Sequence, residues 1–355
     1  MELQRTATIL LILCSLFYNG VCRVPIVESN TVTSIKTKNG QVYNCIPFAK
    51  QLAFSHSSIK IEAQNNILKI QGRNHSNFGL EESCPLGTVP ILDGIDAIDQ
   101  QQFIPPFFQP KSHCNAVVHT KPDAAKKFFG TRASVCLYKP NVQTTQWSAG
   151  RMKLSNGPDS IEAGWMVNPT VFKDSEAHLY AKFSAGRKGC INTQCPGFVQ
   201  VDTTVPLGLI PETYSQIQGV KWTWDITIEK HRDDGNWWLS IFVGGGAKKI
   251  PIGYWPKSLF TSLAGVASQV EWGGEIDNPG IKEPQPDMGS GKKAHYSTKL
   301  SAFFEKVTVV SENSQTLDPS DTEKYEDCIP FYNTLDDGNQ GSYWGRLMYY
   351  GGTHW

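Results

Sequence analysis

Two stretches place a glutamate beside glycine and tryptophan in a strand-like alternation, Ile161-Glu162-Ala163-Gly164-Trp165 and Val270-Glu271-Trp272-Gly273-Gly274-Glu275. Successive side chains of a strand point to opposite faces. Glu162, Gly164 and Met166 therefore share one face of the first stretch, and Ile161, Ala163, Trp165 and Val167 the other. In the second, Glu271, Gly273 and Glu275 share a face, and Val270, Trp272 and Gly274 oppose them. Each segment thus carries a carboxylate next to bare backbone. Glycine weakens a strand interior and is tolerated where a ligand or another backbone must come close. Two such carboxylates facing one groove would form a general acid/base pair. The plain alternative is a solvated glutamate on each strand, with Gly-Gly marking a bulge or turn.

The elements that must carry these residues read as strands. Positions 220–229 alternate apolar and polar over their whole length, Asp233-Asp234-Gly235 supplies turn chemistry, and 236–243 returns as the partner of a hairpin. Similar runs occupy 134–138, 177–183, 198–202 and 300–310. Short strands broken by Gly and Pro predict an all-β fold, an antiparallel sandwich. One helix is expected near 256–263, with Pro256 close to its start. Upstream, 59–62 and 68–71 alternate as short strands in a polar segment, and 103–111 is proline-rich and resists regular structure. A domain boundary with a processing site between about residues 104 and 130 would suit so exposed a tract.

A chain of 355 residues exceeds the usual single core, and two folding units are expected. Lys plus Arg equals Asp plus Glu, 33 of each, which leaves no basic footprint for nucleic acid. Arg5 precedes an apolar run over 7–18, and Gly20-Val21-Cys22 offers a cleavage site, so residues 1–22 read as a secretory leader. No other apolar run is long enough to span a bilayer. The expected product is a secreted or vacuolar monomer, with no membrane partner and no cofactor. Nine cysteines suit the oxidising route. With Cys14 and Cys22 in the leader, an odd number remains, and at least one thiol stays free or pairs between molecules. Cys190 with Cys195 is the first pair expected, stapling one loop; Cys45 with Cys84 is the second, both lying in the N-terminal unit. A metal site at Cys190 and Cys195 lacks accompanying ligands at metal spacing, so no metal is expected. Asn74-His75-Ser76 is a glycosylation sequon, whereas Pro169 disqualifies Asn168.

The order of several motifs resembles the neprosin family of plant glutamic peptidases: the two glutamate stretches, Gly189-Cys190 with Cys195-Pro196-Gly197-Phe198-Val199-Gln200, Gly235-Asn236-Trp237-Trp238-Leu239, Ile252-Gly253-Tyr254-Trp255-Pro256, Met288-Gly289-Ser290-Gly291 and the closing Tyr349-Tyr350-Gly351-Gly352. Gly40-Gln41-Val42-Tyr43-Asn44-Cys45 and Cys84-Pro85-Leu86-Gly87-Thr88-Val89-Pro90 resemble that family's activation region. The resemblance implies a secreted zymogen, with a leader over 1–22, an activation region and proline-rich linker over 23–128, and a catalytic β-sandwich over 129–355. It implies catalytic roles for Glu162 and Glu275, with Glu271 as internal rival, and removal of the N-terminal region, often by self-cleavage in acid. Gly164, Met166, Gly273 and Gly274 are the expected substrate-side positions, and the best-known relative cuts after proline. Two departures stand out. Met166 occupies a place where members commonly carry Gln, which removes an amide donor and acceptor. The family's last disulfide joins a cysteine near Cys328 to one close to the C-terminus, and none follows here, so Cys328 is free or pairs with Cys136 or Cys114.

Without metal or covalent nucleophile, one carboxylate must deprotonate water and another group must donate a proton to the carbonyl oxygen or leaving amine. Two nearby glutamates share that work if one stays ionised and the other protonated, which favours acid. Trp165 and Trp272 point away from the carboxylates and are expected in the core. A glycoside hydrolase would also use two carboxylates, but the tryptophans alternate as core residues do. A serine hydrolase lacks its Gly-x-Ser-x-Gly elbow; Ser290 reads as loop, Lys292 and Lys293 as surface, and His113, His119, His178, His231 and His295 as unrelated to one another. The remaining rival is a family member that has lost activity and binds cell-wall or extracellular partners.

Overall fold

The structure, a computed structural model, describes residues 30–60, 78–95, 112–123, 125–279 and 284–353. Residues 1–22, 61–62, 68–71, Asn74 and 103–111, on which sequence expectations fall, lie outside the described residues. In chain order the strands are β1 (Thr33–Lys36), β2 (Val42–Pro47), β3 (Thr88–Leu92), β4 (His113–Thr120), β5 (Gly130–Cys136), β6 (Trp147–Asn156) and β7 (Asp159–Val167). β8 (Ala177–Ala185), β9 (Lys188–Ile191), β10 (Val199–Gln200), β11 (Thr223–Lys230), β12 (Trp237–Val243) and β13 (Lys248–Trp255) follow. The last are β14 (Gln269–Asp277), β15 (Ala302–Val310), β16 (Thr316–Leu317), β17 (Thr322–Glu326), β18 (Tyr332–Asn339) and β19 (Arg346–Gly352).

These strands form the expected all-β, antiparallel architecture. One sheet has the order β17-β4-β14-β6-β7-β8-β9, the second runs β10-β13-β12-β11-β5-β15-β19-β18 with β16 beside β15, and a small sheet is β1-β2-β3. The two large sheets pack face to face over one apolar core. Trp165, Trp237, Trp255 and Trp272 are fully buried in it. Three of the indoles find polar partners there: Trp165 Nε1 donates to the Cys136 carbonyl at 2.9 Å, Trp237 Nε1 to the Leu263 carbonyl at 2.8 Å and Trp272 Nε1 to Thr131 Oγ1 at 2.9 Å. Trp165 and Trp272 therefore lie on the core side of their strands, opposite the carboxylates, as the alternation requires.

The helix expected at 256–263 is reduced to a 3-10 turn over Lys257–Leu259. The physical reason is Asp159, whose Oδ2 accepts the backbone N–H groups of Thr261, Ser262 and Leu263 at 2.8, 2.7 and 3.1 Å and so takes the donors a helix would use. Phe260 and Leu263 turn inward to the core instead. A helical turn, α1 (Pro169–Phe172), forms elsewhere, with the Asn168 side chain accepting from Val171 N and Pro169 in the first turn. A second, α2, spans Gly341–Trp344.

β4 lies between β17 and β14 in the seven-stranded sheet, so the sandwich begins no later than His113. Disulfides join Cys45 to Cys84, Cys190 to Cys195 and Cys114 to Cys328. Cys136 keeps a free thiol, buried, and burial pushes it up to about 12.

The small sheet lies against the sandwich. Ile46, Phe48, Ala53 and Val89 pack on Val199, Val201, Trp238 and Tyr254. Gln51 completes the edge of β10, donating through Nε2 to the Gln200 carbonyl at 2.9 Å and accepting Gln200 N–H at 2.8 Å. Backbone bonds from Leu80 to Thr204 and from Cys84 to Thr203 add to the contact.

Candidate active site

β7 and β14 are separated by β6 alone, and the register puts Arg151 of β6 opposite Gly164 on one side and Gly273 on the other. No neighbouring side chain therefore competes for the space beside Arg151. Other residues do not fit at these glycines: a Cβ on Gly164 would lie 2.0 Å from the Gly150 carbonyl oxygen, and one on Gly273 2.3 Å from that of Ala116. Two residues along each strand, on the same face, Lys153 is flanked by Glu162 and Glu271, and in the other direction Ala149 lies beside Glu275. Arg151 thus stands at the centre of a diagonal set of three carboxylates.

Its guanidinium is shared among them. Nε donates to Glu275 Oε2 at 2.5 Å, Nη1 to Glu271 Oε2 at 2.8 Å and Nη2 to Asn115 Oδ1 at 3.1 Å, while Glu162 Oε2 is 4.0 Å from Nε. Lys182, on β8, is the second cation: its Nζ lies 3.2 Å from Glu162 Oε1 and 3.9 Å from Glu275 Oε1. Glu162 and Glu275 are thus bridged twice, once by each cation. His113 Nε2 stands 2.6 Å from Glu275 Oε1, and because a carboxylate only accepts, that nitrogen carries the proton. The Tyr180 hydroxyl donates to Glu162 Oε1 at 3.1 Å. Asp327 holds Asn115 in turn, accepting its backbone N–H at 2.6 Å and its side-chain Nδ2–H at 3.1 Å. Trp147 closes one end, its ring 5.7 Å from that of His113 and 5.8 Å from Lys182 Nζ.

Burial and charge pull in opposite directions here. Burial opposes ionisation of Glu275, but Arg151, His113 and Lys182 outweigh it and hold the carboxyl well below the ordinary carboxylate range. Glu271 is half-buried; burial opposes its ionisation too, and Lys153 and Arg151 hold it down. Lys182 is raised: burial would strip its proton, and Glu162 and Glu275 retain it. Burial, with Glu162 next to it, pushes the Tyr180 phenol well above its usual value, so it remains a donor.

The sequence-expected positions divide. Glu162 and Glu275 share one cluster, and Glu271 is part of it as a ligand of Arg151. Gly164 and Gly273 flank Arg151, their bare backbone serving the approach of neighbouring strands. Gly274 faces the core, where a Cβ would meet Met288 Sδ at 2.3 Å and Tyr350 Cδ2 at 2.6 Å, so it is not on the carboxylate face. Met166 is buried among Ala149, Phe172 and Tyr180. His113, read from sequence as unconnected, contacts Glu275. Arg151, Lys182, Tyr180 and Asn115 were not singled out, although Arg151 and Lys153 alternate with Met152 and Leu154, and Tyr180 and Lys182 fall two apart within the strand expected at 177–183.

Both catalytic candidates are only 3% exposed. Leu92 and Ile95, at the end of the N-terminal unit, pack against the Ala149, Met166 and Tyr180 cluster on the same sheet face. A shallow cavity of about 330 Å³ lined by Val142, Gln143, Thr144, Thr145, Pro169 and Ser175 carries no titratable side chain.

Two solved structures share weak overall similarity. Scytalido-glutamic peptidase with a peptide-based transition state analog is 9% identical, with a TM-score of 0.37 over 68% of this chain and 99% of that one. SCP-B, described as a member of the Eqolisin family of peptidases and bound to the tripeptide Ala-Ile-His, is 9% identical, with a TM-score of 0.36 over the same shares, 68% and 99%. The sequence profile of the Neprosin family matches residues 144–353, more than half of the chain and including β6, β7, β8 and β14. The chain belongs to the neprosin family.

Proposed function

We propose that the protein is a glutamic endopeptidase, secreted as a precursor, in which Glu162 and Glu275 hydrolyse peptide bonds by activating water. One observation carries this: two buried carboxylates from strands on either side of β6 are bridged by the same two cations, Arg151 and Lys182. Glu275, held ionised, is the base. It takes a proton from water as the oxygen bonds to the scissile carbonyl carbon. Glu162 holds Lys182 and the Tyr180 hydroxyl, which stabilise the developing oxyanion, and the proton that Glu275 took from water passes to the amine as the C–N bond breaks. Balance requires one water and one peptide bond, and yields one carboxyl and one amine.

Leu92 and Ile95 over the same face support a precursor whose N-terminal unit covers the site, with release following a cut in 96–112. Cleavage after proline, activity in acid, a leader over 1–22, glycosylation at Asn74 and an apoplastic or vacuolar destination complete the proposal. The test is to acidify purified secreted protein and sequence the new N-termini. Wild type should be cut ahead of His113 and Glu275→Gln should stay intact; equal processing of both, or none in wild type, would overturn it. A second function, binding without catalysis, is favoured by the extent of ion pairing in the cluster and by Met166; protein that is processed by other proteases yet cuts nothing would support that function.

A further inference from the structure

We propose that Arg151 is the positioning residue of the glutamate pair: seated between two glycines, it fixes Glu275 as the base and sets the lowest pH at which the pair can work. This rests on Glu162 and Glu275 being the working pair. The geometry asks for arginine in particular. Three nitrogens of one planar fork reach three acceptors on two strands, Glu275 and Glu271 of β14 and Asn115 of β4. A lysine ammonium is a point charge and cannot span them. The orientation is fixed from outside as well, because Asp327 holds Asn115 and the Cys114–Cys328 disulfide joins the residues next to both.

The charges facing Arg151 from each neighbouring strand define what it can do. β14 brings Glu271 and Glu275, and β7 brings Glu162. β4 adds His113 against Glu275, β6 itself adds Lys153 3.9 Å from Glu271, and β8 adds Lys182 and Tyr180 on the Glu162 side. Glu271 therefore takes up part of the guanidinium charge, and Lys182 serves mainly Glu162. Glu275 is the one carboxylate with a charged contact at 2.5 Å from Arg151, and loss of that contact would let its proton return at a higher pH. A buried ion network adds little net stability compared with apolar packing, so its value here lies in ionisation and geometry.

The experiment compares kcat/KM against pH for processed wild type, Arg151→Gln and Arg151→Lys on a casein-derived peptide, alongside infrared spectra of protein carrying 13C-labelled glutamate carboxyls. In Arg151→Gln the acid limb should move up by about one to three pH units, with a matching upward shift of a carboxyl band, and Arg151→Lys should fall between. A merely structural arginine would lower the yield or the melting temperature and leave the acid limb in place. Superimposable limbs and superimposable carboxyl titrations would overturn the proposal. If Arg151→Gln does not fold, the lysine variant decides by the same two readouts. If wild type cuts nothing, the peptidase assignment fails, and the infrared titration still decides whether Arg151 governs Glu275.

Discussion

Arg151 Nε lies 2.5 Å from Glu275 Oε2, and both side chains are buried on the outer face of the seven-stranded sheet. A full ion pair taken out of water is costly to assemble and still more costly to break. Stability should follow its ionisation. Glu275 and Glu271 titrate below their ordinary value of 4.5 in the folded chain. Folded values below unfolded ones mean that the stabilisation is fully present above 4.5 and is lost as pH falls through the folded values. Glu229 behaves alike: burial opposes its ionisation, but His231 and Lys249 draw it down to about 2, so its share is lost progressively as pH falls from 4.5 to about 2. Thermal melts should show a melting temperature that falls on the acid side of 4.5, with a shallower fall in Glu275→Gln; parallel curves would argue against the pair.

Cys114–Cys328 closes a loop with a sequence separation of 214 and ties β4, with His113 and Asn115, to the segment carrying Asp327. Replacing both cysteines by serine should cost about 2–5 kcal/mol, measured by denaturant unfolding. It should also lower activity more than removal of Cys190–Cys195, because only the former sits beside the Asn115–Arg151 contact. Equal activity losses from the two disulfides would contradict this.

Gln51 acts as a one-residue strand against β10, with both amide atoms bonded to the backbone of Gln200. Gln51→Ala leaves that buried donor and acceptor unpaired, at about 1–3 kcal/mol. If the N-terminal unit covers the site, the variant should self-process faster after acidification, read as the half-time of precursor loss on a gel. An unchanged half-time would show that the unit is not held by this edge.

Much of this was legible in the sequence. Period-two alternation at 161–167 and 270–275 placed Glu162 and Glu275 opposite Trp165 and Trp272, and the sheets keep that arrangement because the indoles fill the core. What alternation does not carry is which strands become neighbours. Arg151 and His113 reach Glu275 through the β6–β14 and β4–β14 pairings, between strands far apart in the chain, whereas Lys182 stands opposite Glu162 across the β7–β8 pairing. The place of β4 in its sheet is hidden for the same reason, since its partners lie at 269–277 and 322–326. The helix at 256–263 failed because a distant carboxylate, Asp159, claimed its backbone donors.

The decisive measurement is hydrolysis of a casein peptide and a proline-containing peptide in acid by processed wild type, Glu162→Gln and Glu275→Gln, with melting curves to establish folding. Wild type should cut, and each folded variant should lose about 10²- to 10⁴-fold in kcat/KM. A folded Glu162→Gln or Glu275→Gln protein that cleaves at the wild-type rate would contradict the assignment of these two carboxylates as the working pair.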